Sequence, residues 1–251
     1  MARHLNIEIL KLKGTKHTAV PFAVCALLLA LLVMALPGTQ AQYATTDQDV
    51  HVFVFAEEKD VKVTLEEPSW TVSSGIGLSS GTTKAKDPTV ANVKEQGNGC
   101  YMRVNMRVLD ENGNTLNPST NKERIDLILQ TIWSDPNEEI KVGSPYTLTQ
   151  LESMQGVNKI YNENLFEAPV WNSEMQAYNI NYKGILDGGE TARIFDKVSL
   201  PADYTDSQIA AMGNYYINIW VQAIQAEGFD NQQDALANLS NENVINNITT
   251  S

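Results

Sequence analysis

The sequence has few of the residues on which catalytic chemistry most often depends. It contains two cysteines, Cys25 and Cys100, and three histidines, His4, His17 and His51, in 251 residues. Cys25 lies in an N-terminal apolar run, so Cys100 is the only cysteine after that run and no intrachain disulfide can form there. His51 is likewise the only histidine after it, which excludes a two-histidine zinc site of the H-E-x-x-H type. A serine or cysteine triad would also depend on His51.

Basic residues are scarce as well. The chain has 18 lysines and arginines against 30 aspartates and glutamates, which gives a formal net charge of −12. Such a charge disfavours nucleic acid and anionic lipid as partners. The spacing of the carboxylates does not single out a catalytic pair. We therefore predict no catalytic residue, no metal ligand and no cofactor.

The first 41 residues are typical of an export signal. Basic residues precede an apolar run from Ala19 to Leu36, and small residues ending at Ala41 follow it. We predict cleavage after Ala41, which leaves 210 residues with a formal charge of −15. The run of 18 residues is also long enough to span a bilayer, so retention as an anchor is the alternative. The protein is thus predicted to be secreted and to meet a membrane only through this signal before cleavage.

The segment directly after the signal predicts a strand with two apolar faces. Successive side chains of a strand point to opposite sides, with Val50, Val52 and Val54 on one side and His51, Phe53 and Phe55 on the other. A strand of this kind needs cover on both faces. It either pairs within its own domain or inserts into a neighbouring molecule, and the residues alone leave both open. We interpret residues 42–56 as this N-terminal strand and Val50–Phe55 as a candidate self-assembly strand.

Alternating apolar residues and frequent turn signals predict a single all-β domain over residues 57–240. Cys100–Leu109 and Tyr215–Ala226 are its clearest strands, and Ala192–Leu200 is also strand-like. In the first of them the pattern directs Met102, Val104, Met106 and Val108 inward, and Arg103, Asn105 and Arg107 outward. Many short strands with few helices indicate a β-sandwich with short helical insertions.

Other stretches predict the connections between the strands. Thr71–Lys86 is rich in Gly, Ser and Thr and is typical of a loop. Thr120–Ser134 carries apolar residues on one face and predicts a helix. Shorter helices are predicted at Leu148–Met154, Asp206–Gly213 and Asn231–Leu239, and a flexible tail at residues 241–251.

Two patterns have both a structural and a functional interpretation. Asp110–Asn114 is similar to a calcium loop, but its glycine comes too early for an EF-hand, and a solvated hairpin turn is the simpler interpretation. The Tyr178/Tyr182 and Tyr216/Trp220 pairs each share a strand face, which favours either sandwich core or a carbohydrate-binding face.

Six stretches together resemble the TasA/camelysin family of secreted surface proteins, which are exported through a dedicated signal peptidase. They follow the family's order and span most of the chain after the signal. They are Thr46-Asp47 with Phe53, Val61–Trp70, Lys86–Asn92, Gly184–Glu190, Phe195–Pro201 and Ile224–Asp230. The chain departs from the family pattern at His51, where Asn is frequent, and at Ala56, where Gly is frequent.

The resemblance implies a jelly-roll sandwich and, as in TasA-like members, assembly into extracellular fibres of a biofilm matrix. In that assembly the N-terminal strand of one subunit completes the sheet of the next. The implied partner is therefore a second copy of the chain, together with accessory matrix or surface proteins. Two alternatives remain open: a cell-surface metallopeptidase of the camelysin kind, and a monomeric module for surface adhesion or binding.

Overall fold

The computed structural model describes residues 53–54, 61–70, 78–93 and 98–239. The strands in this part of the chain are β1 (Phe53–Val54), β2 (Val63–Glu66), β3 (Thr83–Ala85), β4 (Thr89–Asn92), β5 (Cys100–Asp110), β6 (Ile132–Ser134), β7 (Asn158–Lys159), β8 (Val170–Asn172), β9 (Ala177–Asn181), β10 (Thr191–Arg193), β11 (Lys197–Ser199) and β12 (Tyr215–Gln225). The helices are α1 (Lys122–Leu129), α2 (Leu148–Ser153), α3 (Asp206–Met212) and α4 (Gln232–Ala237). The prediction of a mostly β fold with a few short helices is confirmed.

The strands form three sheets. The largest has five strands in the order β1-β12-β5-β9-β8, and the others have the orders β10-β4-β2 and β3-β11-β6-β7. Neighbouring strands are antiparallel, except that β1 lies parallel to β12. The two eleven-residue strands β5 and β12 pair along their whole length, from Tyr215 opposite Asp110 to Gln225 opposite Cys100.

One apolar core joins the three sheets. The five-stranded sheet contributes alternate residues of β5 and β12, such as Met106 and Ile219. The three-stranded sheet contributes Val63 and Val90, and the four-stranded sheet contributes Val198. Sheets that bury their apolar faces against one another in this way are consistent with an all-β sandwich.

The helices follow local capping signals. Thr205 precedes α3, and its hydroxyl accepts a hydrogen bond from the backbone N–H of Gln208, whose side chain accepts one from the Thr205 backbone N–H. The same capping box, from Thr147 and Gln150, begins α2. None of the helices in the described ranges combines the length and the apolar character needed to cross a membrane.

Three sequence predictions for this region are wrong in detail. The helix predicted over Thr120–Ser134 ends at Leu129, and Ile132–Ser134 form β6, because these residues pair with β11 and β7. The loop predicted over Thr71–Lys86 contains β3, which pairs with β11. The strand predicted over Ala192–Leu200 is split between β10 and β11, which belong to different sheets. The predicted signal, residues 1–41, and the tail, residues 241–251, lie outside the described residues.

Candidate functional site

The β12 strand has one edge that the described residues pair only in part. Its other edge is fully occupied by β5. On the exposed edge, Gln222 and Ala223 pair with Phe53 and Val54 of β1. Within the described ranges no further strand pairs there, so two of the eleven β12 residues have a strand neighbour on this side. An edge of this length presents a row of backbone donors and acceptors to an incoming strand.

The predicted self-assembly strand is described only at Phe53 and Val54. These two residues lie at the edge of the five-stranded sheet, paired within their own chain. The other predicted members of the strand, Val50, His51, Val52 and Phe55, lie outside the described residues. The pairing of β1 places Phe53 and Val54 at this edge of β12.

Two stretches that carry the family resemblance meet at a buried lysine. The Lys86 Nζ atom lies 2.7 Å from Glu67 Oε1 and 4.4 Å from the centre of the Trp70 ring, and its side chain is fully buried. Burial lowers the pKa of Lys86, and the Glu67 carboxylate opposes that shift. Ser69 donates hydrogen bonds from its backbone nitrogen and its hydroxyl to the two Asp87 carboxylate oxygens, each at 2.8 Å. These contacts fasten the end of β2 to the turn before β4.

A second junction forms around the buried side chain of Asn92. Its amide nitrogen donates to the carbonyl oxygens of Asn98 and Leu186, at 3.2 Å in each case. Its backbone N–H donates to the Glu190 carbonyl at 3.0 Å, and its own carbonyl accepts from Gly189 at 2.7 Å. Asn92 therefore holds the Gly184–Glu190 stretch against the end of β4.

A third junction is built on the buried carboxylate of Asp135. Its Oδ2 atom accepts hydrogen bonds from Lys197 Nζ at 3.0 Å and from the Ile140 backbone nitrogen at 2.7 Å. Asp196 Oδ2 accepts from the Asp135 backbone nitrogen at 2.8 Å, and Asp196 Oδ1 accepts from Arg193. The Phe195–Pro201 stretch is thereby tied to the segment after β6.

These three junctions give the quoted sequence stretches a structural role. In each of them charged or amide side chains fasten a loop to the end of a strand, although the buried Asn92 Oδ1 has no hydrogen-bond partner among the described residues. Four of the six stretches that carry the resemblance thus take part in joining loops to strands.

Cys100 is a buried free thiol at the start of β5. Burial, and to a smaller extent the nearby Asp187 carboxylate, raise its pKa to about 12. A thiol with so high a pKa is a poor nucleophile at neutral pH, because the thiolate is the reactive form. The structure places it as a small apolar member of the core.

The Asp110 loop is a hairpin turn. Asp110 Oδ1 accepts hydrogen bonds from the backbone nitrogens of Asn112 and Asn114, and its Oδ2 accepts from the Asn114 side chain. These bonds lower the pKa of Asp110. Gly113 adopts a φ of 82°, which the turn requires and glycine readily supplies. The carboxylate closes the turn, as the structural interpretation of this stretch predicts.

The two aromatic pairs lie on opposite faces of the five-stranded sheet. Tyr178 packs edge-on against Trp171 with ring centres 5.1 Å apart, and Tyr182 packs against the core. Trp220 is opposite Asn105 and lies on the outer face together with Tyr216. The first pair therefore lies on the inner face and the second on the outer face, and all four rings are half-buried.

No group of three or more His, Cys, Asp or Glu side chains that could hold a metal ion occurs in the described part of the chain. Comparison with family models, curated proteins and solved structures finds no match to this chain.

Proposed function

We propose that this chain is a secreted structural protein that assembles into extracellular, biofilm-matrix fibres by strand exchange. The leading segment of one molecule takes the place of β1 beside β12 of the next molecule. The observation that carries the proposal is the β12 edge, where the described part of the leading segment, Phe53 and Val54, pairs with two of eleven residues. The resemblance to TasA-like proteins supports the same arrangement, and the jelly-roll order of the strands is part of the proposal.

The physical basis is β-augmentation. An extended segment that joins a sheet edge gains backbone hydrogen bonds, and alternate side chains fill the adjoining pockets. On the inner face of β12, the side chains of Ile217, Ile219 and Val221 are already buried in the core. An incoming strand therefore meets a rigid edge and does not have to order it. A short pairing within one chain is the kind of contact that a longer pairing with a neighbour can replace.

The charge of the chain sets the conditions for assembly. Because the whole chain has a formal net charge of −12, neighbouring subunits repel one another at neutral pH and low salt. Salt screens this repulsion, and acid reduces it by protonating carboxylates. We expect filaments in electron micrographs to become longer and more numerous at acid pH or high ionic strength.

Cysteine cross-linking tests the proposed register directly. Two single variants, Phe53→Cys and Gln222→Cys, are mixed under conditions that give filaments and are then oxidised. Because each variant carries one of the two paired positions, a disulfide between them can form only between molecules. We expect a cross-linked dimer on non-reducing gels. The matched control replaces Gln222→Cys with Tyr216→Cys, six residues along the same strand, and should give little dimer.

Two results would contradict the proposal at different levels. Filaments without the cross-link would show that this register is wrong. Filaments formed equally well by a chain without Gln42–Phe55 would show that the leading segment is not the exchanged strand.

A further inference from the structure

The outer face of the five-stranded sheet contains a row of buried polar atoms that find no hydrogen-bond partner among the described residues. They are the Trp220 indole Nε1, the Asn105 Oδ1 and the Asn179 Oδ1. Trp220 is directly opposite Asn105 in the β12–β5 pair, and Asn105 is directly opposite Asn179 in the β5–β9 pair. One unmatched donor and two unmatched acceptors therefore lie side by side across three strands, a width of about 10 Å.

This row departs from what packing alone favours. Asn105 is fully buried, although its position in the alternating pattern points to the outer face. A buried polar atom without a partner destabilises the folded chain, whereas an apolar residue of similar shape in its place does not. Three such atoms in adjacent positions make this face a candidate for a bound molecule that would supply their partners.

An open cleft adjoins the row. It is lined by Arg103 and Asn181, which are opposite each other two residues along β5 and β9 from the Asn105–Asn179 pair and on the same face. The cleft is also lined by α4, including Gln232, and by Asn231, the residue before that helix. The volume of the cleft is about 660 Å³. Concave sites with a few fixed polar groups are typical of ligand binding.

The polar groups of the cleft are held in place by amide bridges. Asn181 Oδ1 accepts a hydrogen bond from Arg103 Nε at 3.0 Å, and Asn181 Nδ2 donates to Glu167 Oε2 at 2.9 Å. On the other side of the row, Asn218 Oδ1 accepts from Arg107 Nε at 3.0 Å. In both arginines the Nε atom donates this hydrogen bond, which fixes the orientation of the guanidinium group. The two terminal nitrogens of each arginine are then able to donate further hydrogen bonds.

From this arrangement we infer that the outer face binds a neutral polysaccharide, lying in the cleft and across the row. Each sugar hydroxyl both donates and accepts a hydrogen bond, and the site offers both kinds of partner in adjacent positions. A polyanion would meet a chain with a net charge of −12, which repels it. The row is shielded from solvent in the free chain, so binding requires the neighbouring side chains to move aside.

Affinity gel electrophoresis of the purified protein tests this inference. The gels contain mixed-linkage β-glucan, galactomannan or dextran, and polygalacturonate serves as the anionic comparison. We expect retardation by at least one neutral polymer. Trp220→Phe removes the indole donor and Asn179→Leu removes one acceptor, and each should weaken binding about fivefold to tenfold.

A second measurement separates a binding role from a purely structural one. Because Asn179→Leu replaces a buried amide oxygen without a partner by an apolar group of similar size, its thermal unfolding midpoint should stay the same or rise while binding falls. Trp220→Phe also shrinks the ring over which Arg107 lies, 5.1 Å from its centre, so only its binding is compared. Trp171→Phe is the matched control, since it removes an indole N–H from the opposite face of the same sheet. It should leave binding unchanged.

Several outcomes would overturn the inference. They are no retardation in any neutral gel, retardation by polygalacturonate alone, and unchanged binding in both variants. A lower unfolding midpoint in Asn179→Leu would show that bound water already satisfies the Asn179 oxygen. The test is independent of fibre formation, because a chain that never assembles can still be retarded.

Discussion

The two faces of the five-stranded sheet are made from alternate residues of the same strands, yet they are built on different principles. On the inner face of β5, Met102, Val104 and Met106 are fully buried and contact the other sheets. On the outer face, Arg103 and Arg107 alternate with a buried asparagine and are held by amide bridges. The inner face is stabilised by the chain itself, whereas the outer face contains polar groups that the described residues do not satisfy.

This difference teaches where to look for function in a chain without a recognisable catalytic motif. An apolar face that is completely packed accounts for the fold. A polar face that is buried without being fully hydrogen-bonded needs a further explanation, because the described residues alone do not stabilise it. The proposed polysaccharide site follows from that imbalance, and the proposed fibre follows from the similar imbalance between the two edges of β12.

The largest expected effect comes from breaking the inner face. Met106→Ala removes a fully buried side chain from the centre of the core, and we expect it to lower the free energy of unfolding by about 2–5 kcal/mol. Leu109→Ala on the outer face of the same strand removes a half-buried side chain, and should cost about 1 kcal/mol. Denaturant unfolding measures both, and equal losses would contradict the distinction between the faces.

Alkaline pH should weaken the inner face through Cys100. The unfolded thiol has a pKa of 9.0, and burial raises that of the folded chain to about 12. Between these values the folded state binds a proton that the unfolded state has lost, so stability falls as pH rises above 9. From pH 8 to pH 10 this contribution amounts to about 1.4 kcal/mol.

The alanine variant isolates this effect. Denaturant unfolding at both pH values should show a smaller loss of stability on alkalinisation in Cys100→Ala than in the parent chain. The same alkaline loss in both proteins would show that the thiol is not the group responsible.

The amide bridge of the outer face should give the smallest effect. Asn181→Ala removes the acceptor of Arg103 and the donor to Glu167, and both of these charged groups keep access to the open cleft. We expect a loss of about 1 kcal/mol in unfolding free energy, together with weaker retardation by a neutral polysaccharide. If Asn181→Ala lowers the free energy of unfolding but leaves retardation by the polysaccharide unchanged, the amide bridge stabilises the fold and has no part in binding.

Long regular patterns predict the fold well in this chain. Period-two alternation over Cys100–Leu109 and Tyr215–Ala226 predicts β5 and β12 to within one residue at each end. Thr205 correctly predicts the start of α3, because a threonine that caps a helix acts only on the next turn. These features depend on residues close together in the chain.

Short elements escape prediction because distant strands decide them. Ile132 and Trp133 fit a helical pattern, and the backbone pairing of β6 with β11 makes them a strand. Thr83 lies in a stretch typical of a loop, and its hydroxyl meets that of Ser199 at 2.7 Å across the β3–β11 pair. Propensity is a weak guide where pairing partners lie more than sixty residues away.

The candidate site shows the same limit. The alternation correctly placed Asn105 on the outer face, and could not show that it would be buried there without a full set of partners. That property arises from neighbours on β9 and β12, which are 74 and 115 residues further along the chain. The role of the leading segment as an exchanged strand stays a prediction.

The pairing of β1 with β12 also fixes an order of events in synthesis. Phe53 and Gln222 are 169 residues apart, and almost the whole domain must leave the ribosome before they can meet. Among the described strands, β1 is the first to leave the ribosome, and its partner β12 is the last. If strands are exchanged as proposed, then where many copies emerge close together the β12 edge of a completed neighbour is available sooner than the chain's own final strand. Crowded production would then favour linked molecules over closed ones, without any change in sequence.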